Sequence, residues 1–119
     1  MTKIPNKNYD LEDRILEFSK RAVKLCKALS KNIINNEFVK QIIRAACSVG
    51  ANYREANESL TKKDLKFRIS ISRKEAKETV YWLNLIIEAN PDFQKCLEPL
   101  LQEALESKKI LSSIIEKSK

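Results

Sequence analysis

A chain of 119 residues with 43% hydrophobic residues and a formal charge of +7 is the size of one ordinary domain, with enough apolar content to fill one core. A single Gly and three Pro are too few breakers for an all-β fold, which needs turn residues every ten or so positions. There is no histidine, so Ser/His and Cys/His nucleophile schemes and His-ligated metal centres are excluded.

Residues 1–9 read as a loose arm, and Asp10 with Asp13 resembles a capping box that opens the first helix. Leu11, Ile15, Phe18, Ala22, Leu25 and Leu29 repeat at four-three spacing, which predicts a helix to about Lys31. Asn32, Asn35 and Asn36 supply the turn and the next cap. A second helix is predicted from about Glu37 to Glu58, with Phe38, Ile42, Ala45, Val49, Tyr53 and Ala56 on its apolar stripe. Thr61 and Asp64 form the next start signal, and the third helix runs from Lys62 to about Asn90, where Pro91 forbids continuation. Pro99 is placed in the first turn of a fourth helix that ends in Glu116-Lys117-Ser118-Lys119. Four long helices with short connections predict an all-α, antiparallel up-down-up-down four-helix bundle. No apolar run approaches the roughly 18 residues of a membrane span, and the N-terminus lacks a signal-peptide core, so a cytosolic protein is expected. The three cysteines, Cys26, Cys47 and Cys96, are widely spaced and read as small buried hydrophobes.

The second helix has two further edges. Gln41, Arg44, Ser48, Asn52 and Glu55 fall within an arc of roughly 80° beside its apolar face. If helices two and three are antiparallel, positions whose numbers add to about 120 lie level. Arg44 is then expected beside Glu75 and Glu78, and Glu55 beside Lys66 and Arg68. Glu55, Glu75 and Glu78 would be a carboxylate cluster for acid/base or metal chemistry only if they converged without a cation, and Arg44 in their midst favours structural ion pairing instead. On the opposite side Ile43, Cys47, Gly50 and Ala51 form a smooth strip where a neighbouring backbone is expected to pass, because a mid-helix Gly costs about 1 kcal/mol relative to Ala.

Helix three carries two apolar sides, Leu65/Ile69/Ala76/Val80/Leu83/Ile87 and Phe67/Ile71/Trp82/Leu85, whereas a bundle monomer usually needs one stripe per helix. The surplus predicts a homo-oligomer.

The positive charge is concentrated in residues 1–35 and 59–90. In helix one Lys20, Lys24, Lys27 and Lys31 follow Asp13 and Glu17, an order that suits the helix dipole and needs no partner. Helix three differs. Lys62, Lys63 and Lys66 occupy its positive N-terminal end and Arg73, Lys74 and Lys77 continue the stripe for roughly 20 Å. That orientation costs stability and favours an anion, and Tyr81 on the same side is placed to stack a base.

The segment Gln41-Ile42-Ile43-Arg44-Ala45-Ala46-Cys47-Ser48-Val49-Gly50-Ala51-Asn52-Tyr53-Arg54-Glu55-Ala56, with Lys63-Asp64-Leu65, Ser72-Arg73-Lys74-Glu75-Ala76-Lys77-Glu78 and Tyr81-Trp82-Leu83, resembles the intervening-sequence proteins of bacterial large-subunit ribosomal RNA genes over nearly the whole chain. It is also similar to the accessory protein of diversity-generating retroelements, a pentameric bundle that binds nucleic acid and a reverse transcriptase. The resemblance implies a left-handed bundle in a ring-like homopentamer with no established enzymatic activity. Ala56 stands where many relatives carry Gly.

These readings combine into a non-catalytic module that binds RNA or structured nucleic acid through Lys62, Lys63, Lys66, Arg73, Lys74 and Lys77. Gln41, Arg44, Ser48, Asn52, Glu55, Glu75, Glu78 and Trp82 hold structure and assembly. No catalytic residue, metal site, cofactor or membrane contact is assigned. The alternative is an adaptor whose ring presents helices to another polypeptide, with the basic stripe serving solubility.

Overall fold

The computed structural model describes residues 7–118, with side chains from Leu11 onward. Helix α1 spans Lys7–Ala28, α2 Ile33–Asn57, α3 Lys62–Ala89 and α4 Gln94–Lys117, with a 3-10 turn at Pro91–Phe93 leading into α4. No strand occurs among the described residues. Short connections send each helix back along its predecessor, and α1 closes against α4, giving the four-helix bundle that the apolar periodicity predicts. The α2–α3 interface is the most extensive and the α1–α4 seam the least. None of the described helices is long and apolar enough to cross a membrane.

Several boundaries differ from the sequence expectation. Helix α1 is already formed at Lys7 and stops at Ala28, which leaves Lys31 in the connection. The side chain of Asp10, and with it the expected capping box, lies outside the described residues, as do residues 1–6 of the expected arm. Helix α2 begins at Ile33, four residues before Glu37, because Asn32 is the cap: its backbone is extended and its side-chain oxygen accepts the Asn35 N–H at 2.8 Å. Thr61 caps α3 as expected, its hydroxyl accepting the Asp64 N–H at 3.1 Å. Pro99 is not in the first turn of α4 but inside the helix, since Pro91 already opens the preceding 3-10 turn. The carbonyl that Pro99 leaves unbonded belongs to exposed Lys95, where water reaches it, so the helix tolerates the ring.

Asn35 is not a turn residue. It is 2% exposed, and its amide exchanges hydrogen bonds with that of Asn90, donating at 3.0 Å and accepting at 2.9 Å. Asn35 also donates to the Ser30 carbonyl and Asn90 to that of Ile86, both at 2.9 Å. A buried amide pair satisfied in this way ties the α1–α2 connection to the end of α3, and leaving either partner unmatched costs about 1–3 kcal/mol.

The core falls into two apolar clusters. Phe18, Ala22, Leu29, Ile42, Leu83, Ile86, Leu97 and Leu100 fill the end near this amide latch. Leu11, Ile15, Val49, Tyr53, Ile69 and Leu111 fill the other. Each fully buried Ile or Leu contributes about 1.5–3 kcal/mol, so most of the stability resides here. At mid-bundle the fully buried hydroxyls of Ser72 and Thr79 donate at 2.8 Å to the carbonyls of Val49 and Glu75. The first of these bonds crosses from α3 to α2.

Cys26 is buried, and the desolvation of its thiol, followed by the charge of Cys47, pushes its pKa up to about 11. Cys47 and Cys96 are exposed, against the expectation of three buried thiols.

Candidate nucleic-acid and assembly surfaces

Helices α2 and α3 run antiparallel in the register read from the sequence. Phe38 meets Trp82 with ring centroids 6.0 Å apart, Val49 meets Ser72, and between them Arg44 reaches both predicted carboxylates. Its Nη1 lies 3.2 Å from Glu75 Oε1 and its Nη2 lies 2.7 Å from Glu78 Oε1. Glu75 is only 8% exposed, so the guanidinium answers a carboxylate that would otherwise be desolvated without a partner. The hydrogen bond to Glu78 is the largest influence raising the Arg44 pKa above its ordinary value, with the charge of Glu75 adding to it.

The rest of the polar edge departs from expectation. Glu55 is exposed and makes no ion pair among the described residues. Arg68 instead donates through Nη1 to Asn52 Oδ1 at 3.2 Å, while Asn52 Nδ2 donates to the Ser48 carbonyl at 3.0 Å. Gln41 bonds within its own helix to Glu37 at 3.2 Å. Ser48 is half-buried. Trp82 is half-buried between Phe38 and Tyr81, whose ring meets it edge-on at 5.2 Å. Glu55 is therefore apart from Glu75 and Glu78, which are neutralised by Arg44. Among the described residues no group of three His, Cys, Asp or Glu side chains is placed to hold a metal.

The solvent side of α3 is different. Lys62, Lys63, Lys66, Lys74 and Lys77 are all exposed, and none has an ion pair among the described residues. Arg73 does not belong with them. It is half-buried, and its Nε is shielded from solvent without an acceptor. Phe67, expected on an apolar side, stands 58% exposed among these lysines, with the Arg68 guanidinium 5.8 Å from its ring centre. Tyr81 is 59% exposed.

The first apolar side of α3 is covered within the subunit, and of the second side Trp82 is packed on the core while Phe67 is exposed. Leu65, Val80, Trp82 and Ile87 pack against the two core clusters because α3 has α2 on one flank and α4 on the other. Further apolar side chains are exposed on α1 and α2, Ile33 and Ile34 of α2 among them. Leu16 and Val23 of α1 are exposed. A shallow groove of about 250 Å³ between the two helices is lined by Leu16, Ser19, Cys47, Gly50, Ala51 and Arg54. Gly50 permits a close approach as predicted, but to a side chain and not a backbone: a Cβ there would sit 3.2 Å from Ile15 Cγ2. Ser19 of α1 donates to the Ala46 carbonyl at 3.4 Å in the same contact.

Two features escaped the sequence reading. Arg14 binds Glu103 with two parallel hydrogen bonds of 3.0 Å, clasping α1 to α4, and no spacing rule links positions so far apart. Asn57 donates to Glu12 at 2.9 Å, and Arg54 lies 3.8 Å from the same carboxylate, joining α2 to α1.

Comparison with known proteins narrows the family. Residues 7–113 match the family model described as 23S rRNA-intervening sequence protein. A crystal structure from Bacteroides thetaiotaomicron, described as a protein with unknown function from the S23 ribosomal protein family, superposes with a TM-score of 0.80 at 35% identity, covering 93% of this chain and 99% of its own. No curated protein matches the chain.

Proposed function

The chain belongs to the 23S rRNA-intervening sequence protein family, and from that premise we propose that it is a non-catalytic RNA-binding module that works as a homo-oligomer. The observation that carries the RNA reading is the row of exposed lysines on α3, Lys62, Lys63, Lys66, Lys74 and Lys77, which has no carboxylate paired to it among the described residues. Three of them stand in the first five residues of the helix, where the backbone dipole is already positive. An anionic backbone laid along this edge relieves both penalties at once, and RNA supplies phosphates over the necessary length. Arg73 contributes to the potential from a half-buried position and not as a direct contact.

Self-association is assigned to the α1–α2 groove, where Leu16, Cys47 and Ala51 form a low-polarity strip remote from the lysines in sequence and on a different pair of helices. The number five follows from the resemblance to ring-forming pentamers, and light scattering is expected to return five times the 13.8 kDa subunit mass. A monomer mass removes the assembly reading.

Binding of labelled RNA at low salt, both as a hairpin and as an unstructured strand, tests the rest. Reversing Lys63, Lys66 and Lys77 together to Glu is expected to weaken affinity by about 100-fold or more through lost phosphate contacts. An affinity that survives the reversal, or none at all for the unaltered protein, defeats the RNA reading, and an intact oligomer without RNA affinity favours the adaptor role.

A further inference from the structure

We propose that the outer face of α3 takes single-stranded RNA in preference to duplex, with Phe67 and Tyr81 as stacking platforms on either side of Lys74 and Lys77. This rests on the RNA reading above and goes beyond it in naming the form of RNA and the side chains that select it.

Lys63, Phe67, Ser70, Lys74, Lys77 and Tyr81 follow one another at steps of four and three, so they lie on one line along a helix of 3.6 residues per turn. All six are exposed. The two aromatics are 58% and 59% exposed within a long helix, where the bundle does nothing to cover them. Neither ring is loosely placed. Tyr81 is held edge-on against Trp82 at 5.2 Å, and Trp82 is itself packed on Phe38 at 6.0 Å. Phe67 is flanked by the Arg68 guanidinium at 5.8 Å, which Asn52 anchors through its side-chain oxygen. Each ring therefore has part of its orientation already set by a neighbouring side chain, so less freedom is lost when a base stacks on it.

The separation of the rings fits a short strand. Fourteen residues of helix place them about 21 Å apart, the length of roughly six nucleotides at 3.4 Å per step, with Lys74 and Lys77 between them. A duplex keeps its bases inside and offers these rings only phosphates and sugars, which gain nothing from an aromatic face. A single strand offers both the charge that the lysines need and the base faces that the rings need.

Fluorescence anisotropy with an unstructured, labelled RNA of about 12 nucleotides, alone or annealed to its complement, separates the possibilities. The single strand is expected to bind more tightly. Phe67→Ala and Tyr81→Ala are each expected to weaken it by about tenfold while changing duplex affinity less than about twofold, and Tyr81→Phe is expected to retain the affinity because it keeps the ring. Both positions are exposed, so unaltered melting curves accompany these changes. Equal affinity for the two forms with no effect of either alanine variant overturns the stacking assignment and leaves the phosphate reading standing. Failure of both forms to bind overturns the RNA reading itself. A fall in oligomer mass in the alanine variants assigns the rings to self-contact and also overturns the proposal.

Discussion

Along α3, the edge that faces α2 and the edge that faces solvent are built from the same kinds of residue but arranged to opposite ends. Toward α2, Glu75 and Glu78 share Arg44, Arg68 is held by Asn52, and Trp82 is packed on Phe38. Toward solvent, five lysines and two aromatics stand with no carboxylate paired to them among the described residues. Polar groups on the inner edge are matched because a buried carboxylate without a partner is expensive. On the outer edge water tolerates the mismatch, so an alignment of like charge at the positive end of a helix is not required by folding and points to something outside the subunit. One edge is thus expected to respond to mutation through stability, the other through binding.

The largest stability effect is expected at the inner edge. Arg44→Met strips Glu75 of its partner at 8% exposure and should cost about 1–3 kcal/mol in urea unfolding, at the lower end because the arginine is itself half-exposed. RNA affinity should change little in the same variant. A stable protein with weakened RNA binding would break the contrast between the edges.

Gly50→Ala probes the α1–α2 contact, with an expected loss of about 1 kcal/mol. The gain in helix propensity is offset by a Cβ only 3.2 Å from Ile15 Cγ2, and Ile15 is too buried to give way. Replacing Ile15 with Leu removes that branch methyl, so the penalty of Gly50→Ala should shrink in an Ile15→Leu background. Additive effects in the double-mutant cycle would refute the contact.

At the outer edge the sign reverses. Lys63→Glu, near the start of α3, should raise stability by about 0.3–1 kcal/mol while reducing RNA affinity. A variant that is both less stable and unchanged in binding would mean that the lysines serve the fold.

Thiol labelling perturbs α3 least. Cys96 should react readily with iodoacetamide at neutral pH and Cys26 slowly, since burial pushes its thiol up to about 11 and leaves little thiolate. Cys47, exposed on the subunit but lining the self-association groove, should be protected in the oligomer and react once it is diluted to monomer, and Cys96-labelled protein should keep its RNA affinity because that residue is not on α3. Mass spectrometry of the labelled sites and light scattering together check both statements.

The sequence makes the inner edge more legible than the outer one. An antiparallel register needs only the positions of two helices and a short turn, and it correctly brings Arg44 to Glu75 and Glu78, while the Thr61/Asp64 spacing places the cap. It fails for Glu55, because the level arginine, Arg68, is held by Asn52 instead. Asn32 and Asn35 were both visible as polar interruptions, yet which one caps and which is buried depends on the end of α3, far away in sequence. Phe67 was read as apolar and therefore covered, although hydrophobic spacing alone cannot say how far a neighbouring helix reaches around α3. Arg14 and Glu103 had no local signal at all.

The salt dependence of RNA binding tests most directly whether the outer edge of α3 is an anion surface. With about five lysines engaged, the logarithm of affinity for a single strand should fall against the logarithm of salt concentration with a slope of about −3 to −4, and that slope should flatten toward zero in the triple Lys63→Glu, Lys66→Glu, Lys77→Glu variant. A slope near zero in the unaltered protein, or one that the reversal leaves in place, would contradict the account.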